Sequence, residues 1–168
     1  MDLVFELLED PAYRHVLLNH LPIVGLGVAW VVLVWASIER RWSSIVFSLS
    51  LVAVFSGSTI AVTSAGDAAY PFVFEALDGP GREWLDYHTY LGDRWGWMLY
   101  ANAALSILAI VIGFVRKQHR MVVSGVVIAT TLAGLLAAGV IAEAGGKIRH
   151  PEFRLSDPPV YDAPGRIR

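Results

Sequence analysis

The sequence predicts an all-α membrane protein, a four-transmembrane-helix bundle running up-down-up-down with both termini on the same side. Three observations carry this expectation. The chain of 168 residues is 55% hydrophobic and only 17% charged, where a soluble domain usually carries about 25% charged residues. Mean hydropathy is +0.54. Four runs, 21–38, 43–66, 95–115 and 121–142, contain no charged residue, and each approaches or exceeds the roughly 20 residues that cross a hydrocarbon core of about 30 Å as a helix.

The first run has no basic leader and no A-x-A-like exit, and it continues into Glu39-Arg40-Arg41. It is therefore expected to remain as a helix rather than be removed as a signal peptide. The absence of cysteine excludes disulfides, thiolate metal sites and covalent haem attachment through C-x-x-C-H. A net charge of -2 argues against a nucleic-acid partner. The lipid bilayer is the partner that the composition demands.

The expected organisation is a transmembrane domain over 1–150, with helices at about 11–38, 44–65, 83–115 and 121–146, followed by a polar, extended tail over 151–168. Asp10-Pro11 reads as a helix start, the aspartate capping and the proline in the first turn. One helix then carries both His15 and His20. Five residues at about 100° each set them about 140° apart around the axis, so they do not aim at one atom. Pro22 removes an N–H and frees the carbonyl of Leu18. Gly27, seven residues beyond His20, is expected to give clearance for a flat cofactor beside that ring. Its plainer reading is helix packing at a kink.

In the second helix Ser48, Ser50, Ser56, Ser58 and Thr59 are assigned to packing. A longer connection is expected over 66–93. Within it Trp84, His88, Leu91 and Trp95 recur on one helical face, which continues as Asn102 and Ser106. An asparagine near mid-bilayer is costly against lipid, so this stripe and His88 are expected to point into the bundle. In the fourth helix Gly139, Ala142, Gly146 and His150 share a face, a small-residue stripe ending in a histidine. His119 lies in the basic loop 116–120 and is given no role.

Four of the five histidines, His15, His20, His88 and His150, thus fall on one side of the membrane. Arg40, Arg41, Arg116, Lys117 and Arg120 crowd the two short opposite loops. By the positive-inside rule those loops are cytoplasmic, which places the histidines and both termini outside or in a periplasm, in a bacterial inner membrane.

The opening His15-x4-His20-Leu21-Pro22-Ile23 resembles that of a family of four-helix bacterial membrane proteins. Ser64-Ala65-Gly66-Asp67-Ala68-Ala69 followed by His88 is similar to that family's link between helices two and three, and Gly145-Gly146-Lys147-Ile148-Arg149-His150-Pro151 to its segment after helix four. The resemblance runs from about His15 to Pro151. It implies the bundle and the histidine set rather than an activity.

Three functions fit four imidazoles at one end of a bundle. The first is a b-type cytochrome-like electron-transfer protein or subunit, with one or two bis-histidine haems near the outer face. His20 with His88 is the first pairing expected, His15 with His150 the second, and Arg14, Arg94, Lys147 and Arg149 lie at the depth of the propionates. The second is a copper or zinc site built from the same imidazoles with Asp67 or Glu143. The third is a structural or partner-binding subunit without a cofactor. No nucleophile–base constellation, P-loop or dinucleotide fingerprint is present, so electron transfer to a redox partner protein or larger complex is expected rather than bond chemistry.

Overall fold

The computed structural model describes residues 7–161. Its architecture is four long helices: α1 Pro11–Glu39, α2 Trp42–Ala76, α3 Gly79–Val115 and α4 Lys117–Arg149. Consecutive helices pack antiparallel, and α1 closes the ring against α4. All four are long and apolar enough to cross a membrane.

Local sequence explains each boundary. Asp10 caps α1, its Oδ1 accepting from the Ala12 N–H at 2.8 Å, with Pro11 in the first turn. Pro22 lacks an N–H and its ring crowds the preceding turn. The helix answers with a wider π-type turn over Leu21–Gly25 instead of breaking. Arg40, the one non-glycine described residue with positive φ (56°), ends α1 in the left-handed conformation. Asp78 caps α3 by accepting from the Gly81 N–H at 2.9 Å.

The stretch expected as a connection over 66–93 is helical almost throughout. The second helix continues past residue 65 to Ala76 and carries Pro71 in its interior. The third begins at Gly79 rather than at about 83. Their extensions share an apolar cluster in which Trp84, Leu85 and Leu91 are buried and Tyr70, Val73 and Phe74 pack against them. Nor do Gly145-Gly146 end α4, which runs on to Arg149. At about 1.5 Å per residue, helices of 29 to 37 residues are about 45–55 Å long, well beyond a hydrocarbon core of about 30 Å. The charge-free runs start close to the basic turns, so the excess length projects at the histidine end.

Below this extension apolar side chains line the outside, and the interior mixes apolar residues such as Leu26, Leu33, Leu49 and Val52 with polar ones. Ser48, Ser56, Asn102, Ser106, Ser124 and Thr131 are fully buried, whereas Val31, Phe47, Val54, Val111, Val122 and Leu136 lie outside. An apolar exterior suits lipid, where small or polar residues help to join the helices. Asn102 is the centre of the join. Its amide donates to Ser56 Oγ at 2.9 Å, its carbonyl accepts from Thr130 Oγ1 at 2.8 Å, and Thr131 Oγ1 lies at 3.2 Å. The inward phase expected for Asn102 and Ser106 holds. Trp95 leaves the stripe and is exposed, because a tightened turn at Gly96 shifts the inner face to Leu99. In α4 the expected small stripe does not make the contacts: a Cβ on Gly139 would meet open space. Val127, Thr131, Gly134 and Ala138 face inward instead.

The segment after α4 is tied down by one side chain. Arg154 donates to the carbonyls of Lys147 (2.7 Å) and Ile148 (2.5 Å), which the helix end leaves without partners, and to Asp78 Oδ2 at 2.8 Å. The guanidinium holds the Asp78 carboxyl below the usual carboxylate range. A carboxyl lowered on folding contributes stability above its unfolded value and loses it as pH falls through the folded one. The arm should therefore be better protected from hydrogen exchange at neutral pH than in acid, and Asp78→Asn should remove that pH dependence while the two carbonyl bonds of Arg154 remain. In the core, Asn102→Leu should cost about 1–2 kcal/mol by unfolding in detergent, while Ser50→Ala, which removes only an exposed bond to Val46 O, should cost nothing measurable.

Candidate functional site

At the projecting end the closest pairings are two hairpins, with α2 and α3 also joined through the cluster around Trp84. The segment Pro11–Leu18 of α1 packs on Thr59–Ala76 of α2, and Gly79–Trp95 of α3 packs on α4. Each hairpin carries one half-buried histidine, His15 on α1 and His88 on α3.

The two are held in the same way. His15 Nδ1 lies 2.9 Å from the carbonyl oxygen of Val62, and His88 Nδ1 lies 2.9 Å from that of Ile141. A carbonyl only accepts, so in both rings Nδ1 carries the proton and donates. Nε2 of the neutral ring then keeps its lone pair. Both carbonyls stand four residues before a glycine, and the glycine makes room for the ring. A Cβ at Gly66 would come within 2.8 Å of His15 Nδ1, and one at Gly145 within 3.2 Å of His88 Nδ1 and Cε1. Each alanine before the glycine, Ala65 and Ala144, is buried. The seat is thus a short repeat, Val62-x-x-Ala65-Gly66 on α2 and Ile141-x-x-Ala144-Gly145 on α4, each receiving a histidine from the preceding helix.

The two seats face each other. The ring centroids of His15 and His88 are 6.1 Å apart and the planes stand at 87°. Two metal–nitrogen bonds of about 2 Å in line, plus about 1 Å from each nitrogen to its ring centre, separate ring centres by about 6 Å. At this spacing the two imidazoles would be able to hold one metal centre between them. Hydrogen bonds from the distal nitrogens to backbone carbonyls are also what metal-bound imidazoles commonly carry.

The remaining residues singled out from sequence lie elsewhere. His20 is exposed, its Nδ1 turned back to Val16 O at 3.0 Å in its own helix. His15, not His20, is brought to His88. The angle of about 140° between His15 and His20 allows only one of them to face inward. His150 follows the end of α4, 2.9 Å from Glu152 Oε1 and stacked on Phe153, so it does not meet His15. The bond from its own backbone and then that from His150 hold the Glu152 carboxyl below its usual range. Gly27 gives no clearance to any ring, because a Cβ there would meet nothing; Gly25 is the packed glycine, against Phe55.

Arg14 and Arg149 are exposed, and Arg94 lies over Trp95 at 5.4 Å. Lys147 is paired with Glu143 at 2.7 Å and sits 4.5 Å over the Trp84 ring. Asp67 is exposed and lines a cleft between α2 and α3. Zinc takes three or four protein ligands; among the described residues no three His, Cys, Asp or Glu side chains are placed to share an ion. Comparison with protein-family models, curated proteins and solved structures finds no match.

The elements that sequence reasoning missed are the two seats, Gly66 with Val62 O and Gly145 with Ile141 O. Their signal was the repeated β-branched-x-x-Ala-Gly pattern, one copy in each even-numbered helix. Gly66→Ala should unseat His15 and cost about 1–3 kcal/mol through overpacking. The downfield Nδ1–H proton resonance of that ring should be lost. Gly145→Ala, with a few tenths of an ångström to absorb, should shift the His88 resonance but retain it, and Gly139→Ala should leave both unchanged.

Proposed function

We propose that this chain is a membrane electron-transfer protein of the b-type cytochrome kind, with a single haem held between the two hairpins by His15 and His88. The observation that carries the reading is the facing pair: one imidazole from each hairpin, 6.1 Å between centroids, each with Nδ1–H engaged and Nε2 available. Ligands from facing helices of a bundle are the usual way such a group is held. Two seats support one such centre; His20 and His150 have no role in it.

A haem bound there supplies reversible one-electron chemistry. The residues supply its setting. His15 and His88 would hold the group from the two hairpins together, which favours electron transfer over catalysis on a bound molecule. Val62 O and Ile141 O fix the tautomer and make each imidazole a better donor. Gly66 and Gly145 let each ring lie against the neighbouring helix. Arg14, Arg94 and Arg149 are exposed cations at the same end, suited to carboxylates reaching the surface. The five basic residues of the opposite turns set those turns in the cytoplasm, so electrons pass to a redox partner at the outer face of a bacterial inner membrane. Membership of the family that the opening motif resembles is part of the same proposal.

The deciding measurement is a reduced-minus-oxidised absorption spectrum of protein expressed with haem supplied. A Soret band that shifts on dithionite addition is expected. His15→Ala and His88→Ala should each abolish or shift the bound spectrum while helix content persists, and His20→Ala and His150→Ala should leave it intact. Because the rings stand at 87°, the oxidised low-spin signal in electron paramagnetic resonance should show one dominant low-field feature rather than three resolved lines. Absence of bound haem, or dependence on His20 or His150 instead of His15, overturns the proposal.

A further inference from the structure

Between α2 and α3, on the lipid side of the bundle, lies an open cleft of about 570 Å³. Binding sites for small molecules span about 300–1,000 Å³. Its chemistry is graded along its length. At the histidine end stand Asp67, Ser64 and the hydroxyls of Thr63 and Tyr100, the last two hydrogen-bonded to each other at 2.9 Å. At the deeper end stand Gly57, Ile60 and Ala103. Ten residues separate Asp67 from Gly57, about 15 Å along the helix and half of a hydrocarbon core of about 30 Å. The cleft therefore runs from the membrane surface to mid-bilayer, polar at the top and apolar below. Its wall is open to lipid, with Ile60 66% exposed.

The lining selects the head group. It offers one carboxylate and no cation. A phosphate beside Asp67 would meet like charge with nothing to offset it. A neutral head that donates a hydrogen bond to the carboxylate fits. The Thr63–Tyr100 pair has two hydroxyl protons and uses one between its members, so one remains to donate to an oxygen of the same head. The apolar lower half suits a hydrocarbon tail, and the small Gly57 and Ala103 leave it room. Gly66 and Asp67 are consecutive on α2: the first receives His15, the second lines the cleft.

We propose that this cleft binds a lipid-soluble hydroquinone, its ring hydroxyls on Asp67 and the Thr63–Tyr100 pair and its tail running down past Ile60 toward Gly57 and Ala103. The site stands whether or not the facing histidines hold a haem, because no cleft residue belongs to their seats.

The test uses the full chain, free of haem, in phosphatidylcholine nanodiscs. A radiolabelled decyl-substituted hydroquinone kept reduced with ascorbate, and separately its oxidised quinone, are titrated in, and uptake by empty nanodiscs is subtracted. Saturable binding near one per chain is expected. Asp67→Asn should weaken the hydroquinone about ten-fold and the quinone less than two-fold, since only the reduced head donates to the carboxylate. Ile60→Trp, which fills the cleft from its exposed wall and leaves the core untouched, should remove binding of both. No saturable uptake, unchanged binding in Ile60→Trp, or displacement by equimolar diacylglycerol or phosphatidylethanolamine would overturn the proposal, the last by making the cleft an ordinary lipid groove. Because the titration needs no haem, its failure leaves the spectral test untouched, and a negative spectrum leaves this one.

Discussion

A helical carbonyl has two lone pairs and its own helix uses one. In this protein the second lone pair of Val62 and of Ile141 is taken by an imidazole from the neighbouring helix. A glycine four residues later opens the space that the ring needs. Such a bond runs from a side chain of one helix to a backbone carbonyl of the next, so it fixes axial register as well as contact. It also fixes which nitrogen of each histidine is protonated. Position and chemistry are thus set by the same hydrogen bond, once in each hairpin. The spacing between the two rings follows from how the hairpins are joined lower down.

An apolar core shared by all four helices and a set of buried polar side chains make that joining. Asn102 draws α2, α3 and α4 together through Ser56, Thr130 and Thr131. Trp30 of α1 donates to Ile128 O of α4 at 3.0 Å and closes the ring. At the basic end Arg120 reaches Gly113 O at 2.9 Å and lies 4.5 Å over Trp42. The lower bundle is held on every side, and at the upper end the two packed pairs are joined by the apolar cluster of α2 and α3 and by Arg82, which donates to Phe74 O at 2.9 Å.

Much of this was legible in the sequence, and the boundary between what was and was not has a physical basis. Four helices, their direction, the Asp10 cap and the inward phase of His88 and Asn102 follow from charge-free runs and helical period, which act over many residues. The extensions of α2 and α3 were hidden because 66–93 carries charges and a Gly-Pro-Gly cluster that resemble a loop. Its apolar residues form a core only once both helices are in place, as Trp84 on α3 does against Val73 and Phe74 on α2. Choosing His15 over His20 was beyond reach for a similar reason. Phase alone showed that the two diverge, but which one faces inward depends on the partner helix, and Gly66 lies 51 residues away. Gly27 drew attention because it is near a histidine in sequence, while the glycines that touch histidines are distant ones.

The repeat gives the bundle its final constraint. His15 with its seat on α2 and His88 with its seat on α4 are two renderings of one helical hairpin, each with a basic turn at the opposite end. The two seats follow the same pattern, so His15 and His88 come from corresponding positions of the two hairpins and their rings meet 6.1 Å apart. The outer faces stay available for other chemistry, and on α2 the polypeptide passes in one step from Gly66 at the inner seat to Asp67 in the lipid-side cleft. That the two lie about 100° apart on one turn means a single helix separates the facing histidines from the membrane-facing cleft, and a shift of α2 would be felt at both.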